Sequence, residues 1–226
     1  MKFKFTLIAL SFLMLFSLVA PNLNQVQASS SDNNGNMNIA QEISHEVIEK
    51  ADKYISLENE RYVISNVSDL KKEVSNEEFQ TIKHKVNEIN STLKEVSNEE
   101  LSKAKINGDV ISFSNESEND DGMNIMSAGR TGVDVLWWGY RIYLNDNHTR
   151  TTAQALGTGA GGAAIAALWA PWFSAPTAII KAVAKTLAIA LGGAAGVITA
   201  TNQGSGVYFR FTGVQPIVTY TGVHPQ

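Results

Sequence analysis

Residues 153–200, AQALGTGAGGAAIAALWAPWFSAPTAIIKAVAKTLAIALGGAAGVITA, carry the pattern that decides the fold. Two Ala/Gly-rich apolar blocks flank the proline-bounded segment 171–176, and Lys181 and Lys185 are the only charged side chains. This composition predicts a helical hairpin that is apolar on nearly all sides. Because such a helix must be buried in a protein core or in lipid, the function depends on where the hairpin lies.

Glycines recur at a spacing of four residues in both blocks of the hairpin. The pairs are Gly157 with Gly161 and Gly192 with Gly196. Because small residues four apart let helix backbones approach closely, in lipid or in a dense core, we predict that these four glycines pack the hairpin. The segment 157–162 also has the GxGxxG spelling of a dinucleotide loop, but no acidic ribose ligand follows it. No cofactor is therefore expected.

Aromatic and basic side chains cluster at the predicted tip of the hairpin. We expect Trp169, Trp172 and Phe173 to be exposed or in contact with a membrane, because indole rings favour the lipid headgroup region. Lys181 and Lys185 are four residues apart and share one helix face just beyond the tip. There they can meet an anionic lipid surface or keep the hairpin soluble in water. These five residues are the candidate membrane or partner contacts.

The N-terminus has the residue order of a secretory signal peptide. Two lysines precede the apolar stretch 5–20, and the small-residue site Val26-Gln27-Ala28 follows. We predict cleavage between Ala28 and Ser29, which makes the protein secreted and extracellular. The chain contains no cysteine. An exported form therefore has neither a disulfide framework nor a thiolate nucleophile.

Charge divides the mature chain into two halves. Residues 29–130 carry eleven basic and twenty acidic residues, a net charge of −9, whereas residues 131–226 carry five basic and two acidic residues, a net charge of +3. A polar, acidic stretch without periodicity lies between them and is typical of a flexible linker. Arg130, at the end of this linker, is a candidate processing point. The predicted segments are a signal peptide (1–28), an acidic N-terminal region and candidate pro-region (29–114), the linker (115–132) and a cationic C-terminal module (133–226).

Hydrophobic periodicity predicts the elements of the first half. We expect a helix near residues 39–53 and a small β-hairpin formed by residues 54–57 and 61–64. A longer helix begins at a capping box, in which Ser75 is followed three residues later by Glu78. Ser97 and Glu100 repeat the same capping signal before a further short helix.

In the second half, the aromatic and β-branched stretch 133–144 predicts one strand. The helical hairpin 153–200 follows, and residues 206–212 and 216–220 predict two closing strands. The predicted fold class is α+β, a mostly helical N-terminal region with a small β-hairpin followed by a module of strand, helical hairpin and closing strands.

Catalytic and metal-binding motifs are missing from the sequence. The four histidines are scattered, and no pair has the spacing of metal ligands. No activated serine context occurs, and neighbouring acidic residues on a helix do not share a face. We therefore expect a protein that is not an enzyme and that binds no metal and no cofactor.

The overall layout resembles a known class of precursors. An acidic helical leader region, a polar linker and a cationic Ala/Gly-rich apolar module without cysteine resemble the precursors of secreted bacteriocins and membrane-active peptide toxins of Gram-positive bacteria. The resemblance lies in layout, since no short motif of a particular family is present. It implies a shielded precursor whose C-terminal module acts on membranes.

Two function hypotheses remain open at this point. In the first, the protein is a secreted, non-enzymatic, membrane-interacting protein of antimicrobial or toxin-like type, and residues 29–114 shield the module 133–226. In the second, it is a soluble extracellular binding or surface-interaction module that buries the hairpin in its own core. The expected partner is an anionic lipid membrane, and no nucleic-acid partner is expected. Self-association and an immunity or receptor protein stay open.

Overall fold

The computed structural model describes residues 43–114, 129–192, 194–214 and 217–226. They belong to one compact unit that spans residues 38–226. The predicted cleavage point between Ala28 and Ser29 lies outside the described residues, as do positions 115–128 of the predicted linker.

The first part of the chain folds as helices around a small hairpin. Helix α1 (His45–Asp52) precedes strands β1 (Ile55–Glu58) and β2 (Arg61–Ile64), which pair antiparallel around a turn with positive φ at both central residues. Helices α2 (Val67–Glu73), α3 (Asn76–Glu95) and α4 (Asn98–Leu101) follow. The predicted hairpin is confirmed. Both capping boxes are confirmed as well, Ser75 with Glu78 at the start of α3 and Ser97 with Glu100 at the start of α4.

A six-stranded antiparallel sheet forms the centre of the unit. Its spatial order follows the chain: β3 (Lys105–Asn107), β4 (Val110–Phe113), β5 (Gly132–Leu136), β6 (Gly139–Leu144), β7 (Val207–Thr212) and β8 (Thr219–Pro225). The sheet is therefore a meander that is interrupted between β6 and β7 by helices. Strands β4 and β5 pair in the register Ile111↔Val135, so the sheet joins residues from both sides of the predicted linker.

The predicted single strand 133–144 is corrected to a hairpin, since β5 and β6 turn at Trp137 and Trp138. Leu136 pairs with Gly139, whose φ is 152°. A Cβ at Gly139 would lie 2.1 Å from the carbonyl oxygen of Phe211, so only glycine fits this turn. Strands β3 and β4 were not predicted, although the Asn-Gly pair at residues 107–108 is a hairpin signal. In the structure Gly108 has a φ of 59° in the turn between them.

Helices α5 (Asp146–Gly157), α6 (Gly162–Trp169), α7 (Thr177–Leu191) and α8 (Ala195–Thr201) fill the connection between β6 and β7. The sequence predicted two helices over residues 153–200, and the structure divides each of them at glycines. Gly159, at a φ of 84°, separates α5 from α6, and Gly192 ends α7. Helices α6 and α7 pack against each other and form the centre of the predicted hairpin.

The core lies between the helices and one face of the sheet. The rings of Trp169 on α6 and Phe209 on β7 lie 6.3 Å apart, which places α6 on this face. The Tyr62 hydroxyl donates to the Val135 carbonyl oxygen at 2.7 Å and ties the small hairpin to the sheet. The fully buried residues of the inner strand faces include Phe113, Val133, Val135, Tyr140, Ile142, Leu144, Val207, Phe209 and Phe211. The predicted α+β class is thereby confirmed.

Candidate functional site

The apolar side of the α6–α7 pair is part of the protein core. Large and small side chains on this side are fully buried, among them Ile165 and Trp169 on α6 and Val183 and Leu187 on α7. The Trp169 indole N–H donates to the Thr152 hydroxyl at 2.9 Å, so its one polar atom also has a partner. These side chains are already removed from water.

The tip of the hairpin folds back onto α5 instead of projecting. The Phe173 ring meets the Trp169 ring edge to face, with centroids 5.7 Å apart. The half-buried Trp172 ring stacks on His148 of α5 at 3.9 Å. The expected exposure of Trp169, Trp172 and Phe173 is therefore not what this structure shows. The reason is that α5 begins at Asp146 and supplies a packing surface that a two-helix hairpin lacks.

The close contact between α6 and α7 lies at Gly162, one residue beyond the predicted position. A Cβ at Gly162 would lie 2.4 Å from the Cα atom of Lys185, a distance that real Cβ atoms essentially never show. The two helix backbones can therefore approach only because this residue has no side chain.

The predicted packing glycines occupy other places. Gly161 is the N-cap of α6, and a Cβ at Gly161 or at Gly196 would meet nothing within 4 Å. A Cβ at Gly157 would make an ordinary contact of 3.5 Å with Ala195 of α8. At Gly192 it would approach two carbonyl oxygens of α7 itself, that of Ala188 at 2.8 Å and that of Ile189 at 4.0 Å. Helices α6 and α7 do approach closely at a small residue, as predicted. That residue is Gly162, which is not one of the four glycines predicted from the spacing.

The outer face of the α6–α7 pair carries a groove of about 490 Å³. Its walls are mostly small apolar side chains, and Lys181 and Lys185 belong to its lining on the α7 side. The remaining lining residues are Gly162, Ala163, Ala166, Ala167, Ala170, Ala175, Thr177 and Ile180. The groove is thus predominantly apolar, with positive charge on one side.

Electrostatics make this face attractive to anions. Lys181 and Lys185 are exposed, and among the described residues neither has a carboxylate within ion-pair distance. The chain has no acidic residue after Asp146, which itself pairs with Arg150 at 2.9 Å. An apolar groove beside two unpaired ammonium groups matches a ligand with an apolar chain and an anionic head.

The acidic half of the chain helps to fix α7. This helix has no side-chain cap of its own, and the Glu100 carboxylate of α4 accepts a hydrogen bond from the Thr177 backbone N–H. The Ser97 hydroxyl, the Ser97 backbone N–H and this contact together lower the pKa of Glu100. A negative charge at the start of α7 is also favourable for the helix dipole. A residue of the first half therefore contacts the start of the lysine-bearing helix.

The candidate processing residue, Arg130, makes several contacts. Its guanidinium donates to Asp134 at 2.6 Å and lies 3.5 Å from the centre of the Tyr143 ring. Its backbone N–H and carbonyl oxygen both bond to the Gln226 side chain at 3.1 Å. Cleavage after Arg130 would require these contacts to be released, because proteases bind extended and accessible segments.

No single helix among the described residues is long and apolar enough to cross a membrane. Helices α7 and α8 reach the required length and composition only together, and they are bent by 102° with respect to each other.

Neither a group of metal ligands nor a similar protein indicates a functional site in the described residues. In the part of the chain that the structure describes, no three His, Asp or Glu side chains are grouped so as to hold a metal ion. No protein-family model, no curated protein and no solved structure matches the chain. The groove with its two lysines is the arrangement that brings predicted contact residues together.

Proposed function

We propose that the chain is an exported, non-enzymatic protein that binds anionic lipid surfaces through the outer face of α6 and α7. The observation that carries the proposal is the alanine-lined groove with Lys181 and Lys185 beside it. The ammonium groups would contact anionic headgroups, at about 1 kcal/mol for each lysine near the surface. The alanine face would lie against the boundary between headgroups and acyl chains.

Burial favours binding at the surface over insertion of the hairpin. The inner side chains, such as Trp169, Val183 and Leu187, are already out of water. Moving them into lipid would exchange one apolar environment for another and would add little hydrophobic free energy. Insertion would also expose the inner face of the sheet to water. The hairpin is therefore expected to remain packed while its outer face meets the membrane.

The charge distribution of the chain supports this orientation. Residues 29–130 carry a net charge of −9 and residues 131–226 a net charge of +3. An anionic surface would repel the first half and attract the second, so the α6–α7 face would approach first. Together with the layout of bacteriocin and toxin precursors, this supports an antimicrobial or toxin-like role at the cell surface as part of the proposal.

A second candidate function is a soluble extracellular binding module. It is favoured by the burial of the hairpin in the chain's own core and by the volume of the groove, about 490 Å³. In this case the groove would take single anionic amphiphiles, such as a fatty acid, without attachment to a membrane. Both candidate functions use the groove and its two lysines. They differ in whether the bound ligand must be part of a bilayer.

Flotation with vesicles tests the proposal. The mature chain 29–226 should float with vesicles that contain phosphatidylglycerol and not with vesicles of phosphatidylcholine alone. The double variant Lys181→Gln/Lys185→Gln should bind about 30-fold more weakly, since two lysines contribute about 2 kcal/mol. The variant Lys83→Gln/Lys94→Gln removes the same charge from exposed positions of α3 and should bind like the wild type.

The outcomes separate the two candidate functions. Equal binding by both double variants would reject the α6–α7 face as the contact. Binding of a fluorescent fatty acid without flotation would favour the soluble module. Vesicles loaded with a dye test insertion. Release of the dye at protein concentrations just sufficient to cover the vesicle surface would show that the hairpin inserts, and would contradict the prediction that it remains packed against the sheet.

A further inference from the structure

A row of residues, three of them charged, crosses the sheet on the face opposite to Phe209 and Phe211. Consecutive register partners place Asp134, Arg141, Arg210 and Gly222 side by side on β5, β6, β7 and β8. Asp134 is occupied, since it accepts hydrogen bonds from Arg130 at 2.6 Å and from the Ser112 hydroxyl at 2.7 Å. The two arginines in the middle of the row are therefore left next to each other.

Arg141 and Arg210 form an unfavourable cross-strand pair. Like charges directly opposite each other on neighbouring strands destabilise a sheet. Both guanidinium groups lie near the ring of Trp138, with Arg210 at 4.6 Å and Arg141 at 5.3 Å from its centre. In the described part of the chain, neither arginine has a carboxylate within ion-pair distance. The fold thus holds two positive charges together without a direct ion pair to either, although the Asp52 and Glu49 carboxylates lie near Arg210.

A pocket of about 420 Å³ opens beside Arg210. It is lined by His224 and Thr221 of β8 and by Ser44 and His45 at the start of α1. Gly222, the register partner of Arg210, contributes no side chain, and a Cβ there would lie 3.1 Å from the His224 ring. The pocket therefore combines a guanidinium, an imidazole, hydroxyl groups and the N-terminal end of a helix, all of which attract anions.

The hydrogen bonds of Arg210 are incomplete. One terminal nitrogen donates to His45 Nδ1 at 3.1 Å, and His45 Nε2 lies 3.2 Å from the Glu49 carboxylate. The buried Nε atom of Arg210 and the indole nitrogen of Trp138 have no hydrogen-bond partner among the described residues. Burial and the charge of Arg141 lower the pKa of Arg210, as expected where positive charge is crowded. Buried donors of this kind are usually satisfied, so their lack of a partner is informative.

We propose that this pocket, between β7, β8 and α1, binds the phosphoryl group of a ligand. The planar guanidinium of Arg210 would donate to two phosphate oxygens at once, a geometry in which arginine is favoured over lysine. Arg141, on the neighbouring strand, would add positive charge near the pocket, and the Ser44 hydroxyl would donate to a remaining oxygen. The Thr221 hydroxyl lines the pocket but already donates to the Arg210 carbonyl oxygen at 3.1 Å. The bound anion would also relieve the repulsion between the two arginines. This site is separate from the α6–α7 groove and does not depend on it.

Binding of inorganic phosphate to the mature chain tests the proposal. Calorimetry at constant ionic strength should show saturable binding of one phosphate per chain. Arg210→Gln should weaken it at least tenfold, and Arg210→Lys should weaken it less, because lysine keeps the charge and loses the planar fork. Arg150→Gln, at an exposed arginine that pairs with Asp146, is the matched control and should bind as the wild type does.

Nuclear magnetic resonance of the wild type gives a readout that does not depend on variants folding. Phosphate should shift the Nε–H signals of Arg141 and Arg210 and leave that of Arg150 in place. No saturable binding, or binding unchanged in Arg210→Gln, would overturn the site.

Vesicles distinguish the source of the phosphoryl group. In the Lys181→Gln/Lys185→Gln background, phosphatidylglycerol vesicles that still bind through Arg210 would identify a lipid headgroup. Binding of inorganic phosphate alone would identify a soluble ligand. Both results support the pocket. The Lys181→Gln/Lys185→Gln variant lacks the lysines of the α6–α7 groove. Its binding therefore tests the Arg210 pocket even if the groove does not bind lipid.

Discussion

At Gly162 the packing of two helices depends on the absence of a side chain. The Lys185 backbone occupies the space that a Cβ would need. The sequence indicates that small residues mediate this contact, but the spacing of four points to the pairs Gly157/Gly161 and Gly192/Gly196. The contact instead follows from the break at Gly159, which restarts the helix and changes which glycine faces α7. The spacing of glycines therefore predicts that two helices pack closely through small residues. Which glycine lies in the contact depends on where the helix begins.

Gly162→Ala tests this contact. The added methyl group must displace backbone at Lys185, so we expect the free energy of unfolding to fall by about 1–3 kcal/mol through overpacking. Gly196→Ala is the matched control, because its Cβ would meet nothing within 4 Å and its helical position favours alanine. Urea unfolding of both variants measures the difference. Equal stability of the two variants would show that α6 and α7 do not approach at Gly162.

Trp169 shows why the site could be predicted only in part. Its position in the hairpin and its apolar surroundings were visible in the sequence, but its burial was not. The hydroxyl that satisfies its indole belongs to Thr152, and the ring it packs against belongs to Phe209. Both contacts join separate elements, and no local pattern reports such pairs. Lys181 and Lys185 were predicted from their spacing to share one helix face, and the structure shows both of them exposed.

At the scale of elements, the start of α5 holds the tip of the hairpin. The Trp172 ring stacks on His148, and the His148 Nδ1 atom lies 2.8 Å from the Thr131 hydroxyl. The Thr131 oxygen also accepts a hydrogen bond from the Asn145 backbone N–H, so its proton can be donated to His148. That arrangement requires a neutral imidazole. Burial lowers the pKa of His148 below its ordinary value of 6.5, which agrees with this assignment.

Stability should therefore decrease in mild acid. Below pH 6.5 the unfolded chain takes up a proton at residue 148 more readily than the folded chain, so the free energy of unfolding falls as the pH falls. His148→Gln should lose less stability between pH 7.5 and about 5.5, as measured by urea unfolding. Burial also lowers the pKa of His224, so part of the pH dependence should remain in this variant. If the free energy of unfolding of His148→Gln depended on pH as that of the wild type does, protonation of His148 would not destabilise the folded protein.

The strands show a similar division between local and distant signals. Aromatic and β-branched residues in the stretch 133–144 correctly indicated extended structure. The turn inside it was missed because Trp137 and Trp138 have no turn preference, and only Gly139 marks it. Their rings are stabilised by distant groups, since the Trp137 indole N–H donates to Asp52 at 2.6 Å and Trp138 lies against two arginines. Such turns depend on tertiary contacts.

At the scale of the whole molecule, the two oppositely charged halves share one sheet and one core. Strands β4 and β5 pair across the segment 115–128, with Phe113 opposite Val133, and both residues are fully buried. The contacts of Tyr62 with β5 and of Glu100 with α7 join the halves at two further places. A shielding role for the acidic half would therefore involve strand pairing and shared core packing in addition to charge.

Cutting the chain between the halves tests this connection. A specific protease site inserted between residues 120 and 121 would allow cleavage of the folded protein. We expect the two pieces to elute together in gel filtration and to separate only in denaturant, because breaking the β4–β5 pair would expose buried residues such as Phe113 and Val133. The cut protein should then bind phosphatidylglycerol vesicles no more tightly than the intact chain does. Spontaneous release of the piece that contains residues 131–226, with tighter vesicle binding at low salt, would instead support a precursor in which the acidic half is a removable shield.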